Sequence, residues 1–309
     1  MTRIRLMFNM LAVFVACVLL SSIGQAQATR TWVSGAGDDA NPCSRTAPCQ
    51  TFAAAFSKTQ TWGEISALDA GPYGAVTINR AMTINGDGTL ASILVNVGNG
   101  IIVSAGANET VVIRGISIIG MNGALNGIKY VSGKHLHIEN CSIYGFSSAS
   151  SFGIQGATTT TSEMTVVNTA ITNCHVGIRV SGSGSGTLTA AISDVKIQHG
   201  DFGVDVLGTG TATVKNSFIS HQTADGLVAE SGGVLNVASC AVTDNLKGII
   251  TFGIQSNSII RISNCDIYGN GTGVDLSVGG IGFTFGNNRM TRNGTDIAGS
   301  VLLQMIGVQ

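Results

Sequence analysis

The chain has 309 residues, of which 42 are glycine and 3 are proline; 44% are hydrophobic and the net charge is −1 at pH 7. Glycine without proline excludes a collagen-like chain, and this hydrophobic content excludes a disordered one. There is no run of Lys or Arg, so the sequence does not favour a nucleic acid or an anionic membrane as a partner.

Residues 1–28 have the features of a secretory signal peptide. Arg3 and Arg5 precede the apolar stretch MLAVFVACVLL, and AQA at positions 26–28 is a small-x-small cleavage site. We therefore predict a secreted or periplasmic protein that carries no membrane segment after cleavage at Ala28. Two alternatives are an uncleaved anchor, for which the apolar run is short, and a lipoprotein in which Cys17 is lipidated.

The segment 29–63 is predicted to form an N-terminal cap. Cys43 and Cys49 enclose five residues beside two prolines, so in an exported chain we expect them to form a disulfide. The stretch PCQTFAAAFSKT predicts a short helix capped by Thr51, with Phe52 and Phe56 on one face.

A repeat follows the cap. The first and last copies of the pattern Gly-apolar-x-apolar begin 146 residues apart and are separated by six intervals, so the mean period is near 24 residues. The copies begin at Gly127, Gly153, Gly177, Gly203, Gly226, Gly248 and Gly273. A small or polar residue recurs in phase with these glycines, between successive glycines and once after the last: Asn140, Asn168, Asp194, Asn216, Ser239, Asn264 and Asn287. A unit this short cannot close a core alone, so the repeat predicts stacked coils.

Each period predicts three short strands, because apolar residues occupy every second position. In IRISNCDIYGNGTGVDL the inward residues are expected to be Ile260, Ile262, Cys265, Ile267, Val274 and Leu276. The polar column is predicted to form corners whose amides hydrogen-bond from coil to coil. The repeat glycines are expected to supply positive φ for a turn. Cys141, Cys240 and Cys265 are expected to be buried as small apolar residues, although a redox or metal role stays open.

The repeat pattern of residues 60–300 resembles the right-handed parallel β-helix of the pectate-lyase-like superfamily. The resemblance implies an all-β fold, a single three-sheet solenoid of about 24 residues per coil covering residues 64–309. It also implies that the short helix covers the open N-terminal end, where strand edges would otherwise stay unpaired. The apolar tail VLLQMIGVQ is expected to cover the other end.

The resemblance further implies an active site on the outer face of one sheet, built from carboxylates, arginines or bound calcium. The x position of the Gly-apolar-x-apolar pattern is expected to point outward. Arg179 and Asp205 occupy it on adjacent coils, so we expect them to lie about 5 Å apart. They are candidate ligand-binding residues, and a plain surface ion pair is the alternative.

A second outward column contains His199, His221 and Asp244, with Asp201 nearby. These residues are candidates for moving a proton or binding a cation, although a collinear stack suits metal coordination badly and solvated turn residues are the alternative. The segment ISDVKIQHGDFGVDV resembles the polygalacturonase Gly-Asp-Asp region, but Phe202 stands where the second aspartate would be.

Two functions follow as hypotheses. The first is a non-catalytic exported solenoid that binds a polysaccharide or a cell-surface glycan and needs no cofactor or metal. The alternative is a carbohydrate-active lyase or hydrolase, in which His199 or His221 carries the proton and Asp201 or Asp244 acts as base or cation ligand, with calcium if it is a lyase. The sequence contains no G-x-S-x-G elbow, phosphate loop or zinc-spaced cysteine pair.

Overall fold

A computed structural model describes residues 27–252, 257–299 and 304–305. Within them the chain forms three parallel sheets that wind around one apolar core as a solenoid. The predicted signal peptide lies outside the described residues except at its last two positions. No helix in the described part of the chain is long and apolar enough to cross a bilayer.

Sheet A contains twelve strands in the described residues. They are β1 (Ala28–Val33), β2 (Thr59–Ala67), β5 (Met82–Asn85), β8 (Thr110–Arg114), β11 (His135–Glu139), β14 (Ser162–Val167), β17 (Leu188–Ser193), β20 (Gly210–Lys215), β23 (Val234–Ala238), β26 (Ile259–Ser263), β29 (Ile281–Thr284) and β32 (Gln304–Met305). Its first two strands come from the segment predicted as the cap and are continuous with the rest of the sheet.

Sheets B and C each contain ten strands in the same described ranges. Sheet B comprises β3 (Gly71–Pro72), β6 (Ala91–Val95), β9 (Ser117–Gly120), β12 (Ser142–Tyr144), β15 (Ala170–Thr172), β18 (Lys196–Gln198), β21 (Phe218–Ser220), β24 (Ala241–Thr243), β27 (Asp266–Tyr268) and β30 (Arg289–Thr291). Sheet C comprises β4 (Val76–Ile78), β7 (Gly98–Ser104), β10 (Ala124–Ser132), β13 (Phe152–Thr158), β16 (Val176–Gly182), β19 (Phe202–Gly208), β22 (Asp225–Glu230), β25 (Lys247–Phe252), β28 (Thr272–Val278) and β31 (Thr295–Ala298).

The N-terminal elements match their predictions. Helix α1 (Phe52–Lys58) is capped by Thr51, whose side chain accepts a hydrogen bond from the amide of Ala54 at 3.1 Å. Phe52 is fully buried against Tyr73, and the helix packs on β1, β2 and β4, the first strands of sheets A and C. Cys43 and Cys49 form the predicted disulfide. Most of the predicted C-terminal cap lies outside the described residues.

The predicted polar corners join sheet A to sheet B. Six of the seven corner residues have a left-handed backbone, with φ between 44° and 55°: Asn140, Asn168, Asp194, Asn216, Ser239 and Asn264. Asn and Asp tolerate this region better than most side chains, which explains the residue types. The predicted bonds between coils occur in part, from Asn168 to Asn140 at 2.6 Å and from Asn264 to Ser239 at 3.1 Å.

The predicted role of the repeat glycines is wrong, because none of the seven has positive φ. They are needed for close approach instead. A Cβ on Gly177 would lie 2.6 Å from the carbonyl oxygen of Gly203 in the next coil and 2.7 Å from the side chain of Ile197. The same contact with the next coil recurs along the column, so any larger residue there would push stacked coils apart.

A second set of left-handed corners joins sheet B to sheet C. Behind it, inside the core, runs an amide ladder that the repeat does not predict. Gln222, Asn245 and Asn270 are nearly fully buried, and each backbone amide donates to the side-chain oxygen of the equivalent residue in the next coil at 3.0 Å. The ladder satisfies polar groups that burial would otherwise leave without partners.

Candidate functional site

A pit of about 260 Å³ opens on the outer face of sheet C, where β16, β19, β22 and β25 lie side by side. Its lining includes the charged side chains of Arg179, Asp205, Asp225 and Glu230, and Phe202, Val228 and Phe252 supply apolar surface. Side chains of successive residues in a strand alternate between faces, so these positions point away from the core because their neighbours point into it.

The centre of the pit is the ion pair between Arg179 and Asp205, which the sequence predicts as neighbours. They are paired residues of β16 and β19. Arg179 donates to Asp205 Oδ2 from Nε at 2.9 Å and from a terminal nitrogen at 2.5 Å, and its guanidinium lies 4.7 Å from the ring centre of Phe152. Asp205 is only 4% exposed, and its second oxygen, Oδ1, is buried without a hydrogen-bond partner in the described structure.

Two further carboxylates come from β22. Asp225 is 4% exposed, and its pKa is raised to about 6, mainly by burial; Lys247 opposes this rise, and the carboxylates of Asp275 and Asp205 contribute to it. Burial and the charge of Asp205 also raise the pKa of Glu230, against the charge of Arg179. Groups whose pKa is shifted by burial and by like charges in a cleft are candidates for function.

Lys247 lies beside the pit on the next strand, β25. It is the register partner of Asp225, and its Nζ lies 2.9 Å from Asp275 on β28. Asp275 is only 4% exposed, and its carboxylate is paired with Lys247. The two cations are therefore already engaged by Asp205 and Asp275. Asp225 and Glu230 remain as carboxylates with no cation of their own among the described ion pairs.

The structure does not place the other predicted residues in the pit. His199, His221 and Asp244 occupy the corners between sheets B and C, with φ of 57°, 56° and 56°. The two imidazole rings stack with their centres 5.1 Å apart, and His221 Nδ1 lies 3.0 Å from the hydroxyl of Ser220. His and Asp tolerate a left-handed backbone, so the corner itself accounts for these residue types.

Asp201 is not one of these corner residues and does not line the pit, but it bonds His175, which does. Its carboxylate bonds His175 Nδ1 at 2.7 Å and accepts a hydrogen bond from the hydroxyl of Thr223. His175 lines the pit, with its ring edge against Phe202 at 5.7 Å between centres. The bonds from Thr223 and His175 lower the pKa of Asp201 although burial raises it.

The sequence pattern predicts the column of the pit that contains Arg179 and Asp205, but it does not predict the charged residues on either side of that column. Asp225 and Lys247 each stand directly before a repeat glycine, and Glu230 stands four residues after one. The position before the glycine and the position four residues after it each repeat from coil to coil, as the column of Arg179 and Asp205 does. Listing the residues at these two positions along the repeat would have identified Asp225, Lys247 and Glu230. Among the described residues, no group of three or more His, Cys, Asp or Glu side chains is arranged to hold a metal ion.

Comparisons with known proteins agree on the fold. A family model described as a right handed beta helix region matches residues 153–303. No curated protein matches the chain.

Among solved structures, a pectate lyase aligns with a TM-score of 0.62 at 16% identity over 92% of this chain and 79% of that one. A lacto-N-biosidase from Eubacterium ramulus aligns with a TM-score of 0.58 at 11% identity, over 91% and 68%. The A-module of a mannuronan C-5 epimerase from Azotobacter vinelandii aligns at 0.56 and 13%, over 79% and 88%. At these identities the similarity shows the fold alone.

Proposed function

We propose that this chain, which has the right-handed parallel β-helix fold of the pectate-lyase-like type, binds a glycan in the pit on sheet C. The observation that carries the proposal is Asp205, which lines the pit and has one carboxylate oxygen, Oδ1, that is buried without a hydrogen-bond partner among the described residues. Leaving such an atom unpaired is costly, and a ligand hydroxyl would satisfy it. A lyase, a biosidase and an epimerase among the structural neighbours support a carbohydrate as the ligand class.

The dimensions of the pit favour a short ligand segment. Its volume of about 260 Å³ is near the lower end for small-molecule sites. Phe202 and Phe252 on its walls offer apolar surface for the face of a sugar ring. The pit therefore fits one or two sugar units, such as the end of a chain or a side branch, rather than a long stretch of polysaccharide.

The charges of the pit favour a ligand that donates hydrogen bonds and carries no negative charge. Ionised carboxylates only accept hydrogen bonds. Three of them, Asp205, Asp225 and Glu230, line the pit together with one arginine, Arg179, so the pit has a net charge of −2 when all three carboxylates are ionised and His175 is neutral. A uronate would be repelled. A neutral sugar or an amino sugar would find acceptors for its hydroxyl or ammonium groups.

Hydrolysis of a glycosidic bond is the second candidate, and Asp225 is the observation that favours it. A pKa of about 6 keeps this carboxyl protonated in mildly acidic solution. Glycoside hydrolysis uses such a raised carboxylic acid to protonate the leaving oxygen and a second carboxylate to act on the opposite side. Asp225 would be the acid in this case, and Glu230 or Asp205 would supply the carboxylate.

Calorimetry with neutral, amino and uronate oligosaccharides tests the binding proposal. We expect binding of neutral or amino oligosaccharides, no binding of uronates, and at least a tenfold loss of affinity in Asp205→Asn. Asp266→Asn is the matched control, because Asp266 also pairs with an arginine but lies on sheet B. Equal binding by both variants would refute the pit as the site.

New reducing ends that vanish in Asp225→Asn would establish hydrolysis, and binding without products would establish a non-catalytic role.

We also propose that the protein acts outside the cytoplasm. The disulfide between Cys43 and Cys49 supports this location, because reducing compartments keep thiols free. The prediction for residues 1–28 supports it independently. Mass spectrometry of the exported protein is expected to give a chain that begins at Thr29. A chain that retains Met1 and stays inside the cell would contradict it.

A further inference from the structure

Cys240 and Cys265 occupy equivalent positions in consecutive coils, each directly after a left-handed corner. The pairs on either side, Ala238 with Ser263 and Ala241 with Asp266, are both in register. The two cysteine Cα atoms are therefore about 5 Å apart, as expected for neighbouring strands. That separation lies within the range of roughly 4.4–6.8 Å that disulfides span.

Both cysteines are reduced and buried in the core at adjacent positions. Cys240 is 2% exposed and Cys265 is 0% exposed. Each thiol donates to the backbone carbonyl two residues before it, Cys240 Sγ to Ala238 at 3.3 Å and Cys265 Sγ to Ser263 at 3.2 Å. Burial beside the other thiol raises the pKa of Cys240. Before burial either cysteine can form the thiolate that attacks a disulfide.

We propose that Cys240 and Cys265 form a disulfide that joins two consecutive coils when the chain folds in an oxidising compartment. One of the two thiolates attacks an oxidising disulfide and releases one of its sulfurs as a thiol; the other then attacks the mixed disulfide and releases the second. The two cysteine thiols lose two protons and two electrons, and the oxidant gains them as two thiols. The pair reacts before the coils close over it.

The existing disulfide is a second observation in favour of this reaction. Cys43 and Cys49 are bonded, so the conditions that oxidise that pair are available to the chain. The new bond would enclose one complete coil, including β25, which carries Lys247 at the edge of the pit. It would hold this coil in register where the chain otherwise relies on strand pairing alone.

The remaining two cysteines of the described residues provide an internal control. By the register of the adjoining strands, Cys141 is stacked between Ile116 and Thr169, and Cys174 between Phe146 and Gly200. Neither has a thiol as neighbour. Burial raises the pKa of both thiols to about 12. These two cysteines are therefore expected to stay reduced under the conditions that oxidise Cys240 and Cys265.

The test is a thiol count on protein produced in an oxidising compartment, alkylated in denaturant without reductant and analysed by mass spectrometry. Of the six cysteines from Cys43 to Cys265, two are expected to be alkylated, Cys141 and Cys174. A peptide joined through Cys240 and Cys265 is expected as well. Four alkylated cysteines would overturn the proposal, and this count requires no variant.

Two variants separate the pair from the other cysteines. Cys265→Ser is expected to raise the count of alkylated cysteines from two to three, because Cys240 loses its partner. Cys141→Ser is expected to lower it from two to one and to leave the joined peptide intact. A joined peptide that contains Cys141 or Cys174 instead would also contradict the assignment.

Discussion

Both hydrogen bonds from Arg179 end on the same oxygen of Asp205, so one buried carboxylate oxygen is charge-paired and the other has no partner. The arrangement places two demands on one side chain. Oδ2 accepts both hydrogen bonds that link β19 to β16, while Oδ1 of this pit-lining residue has no partner among the described residues. This carboxylate is therefore both a structural element and the best candidate for contact with a ligand.

Removal of Arg179 is expected to destabilise the protein strongly. Arg179→Met would leave the nearly buried Asp205 without its counter-charge, and loss of one partner of a buried pair costs about 3 kcal/mol. Lys129→Met is the control, since Lys129 lies in the same outward column but makes no ion pair with a described residue; its effect is expected within about 0.5 kcal/mol. Urea unfolding measures both changes. Similar losses of stability in the two variants would contradict the claim that Asp205 depends on Arg179 as its counter-charge.

Asp225 is expected to make stability fall as pH rises. Its pKa is about 6 in the folded chain, and that of an unfolded aspartate is about 3.9. The folded chain therefore binds more protons, and the stabilisation is complete below about pH 4 and lost as pH rises through about 6. Asp225→Asn cannot ionise, so its free energy of unfolding should gain about 2 kcal/mol relative to the unaltered chain between pH 4 and 7. Urea unfolding at several pH values tests this; a difference that does not change with pH would contradict the raised pKa.

The glycine column is expected to tolerate no side chain. Gly177→Ala would place Cβ against a backbone carbonyl and Ile197, and overpacking of this kind costs roughly 1–3 kcal/mol. Gly106→Ala is the control, because its Cβ would meet only the flexible end of Glu109. Thermal unfolding should show a clear drop for the first variant and little change for the second. A neutral Gly177→Ala would mean that the coils can separate at low cost.

Substitutions of His221 distinguish a structural role at the corner from a catalytic role. A left-handed backbone is tolerated by Asn but strained for Ala, so His221→Ala should lose about 1 kcal/mol of stability and His221→Asn should lose little. If the residue only forms the corner, His221→Asn also retains any glycan binding or turnover. Loss of turnover in a stable His221→Asn variant would establish the predicted proton-carrying role instead.

Local features of the sequence were sufficient for the architecture. Alternation of apolar residues sets which face of each strand is buried, and Asn264 and its equivalents mark corners because few side chains accept a left-handed backbone. Thr51 and the phenylalanines after it specify the helix, and the close spacing of Cys43 and Cys49 specifies the disulfide. Each signal acts over a few residues, so the sequence alone determines it.

Only the tertiary structure decided which polar residues meet. Coils differ in length, with 28 residues from Asn140 to Asn168 and 22 from Gln198 to Ser220. The register between coils therefore depends on strand pairing and turn geometry, not on a fixed period. That register gathers Asp205, Asp225 and Glu230 in one pit, leaves His199 and His221 at the corners, and makes the repeat glycines contacts between coils rather than turns. Burial then sets the pKa of Asp225, because the cost of a charge depends on surroundings that exist only after the coils stack.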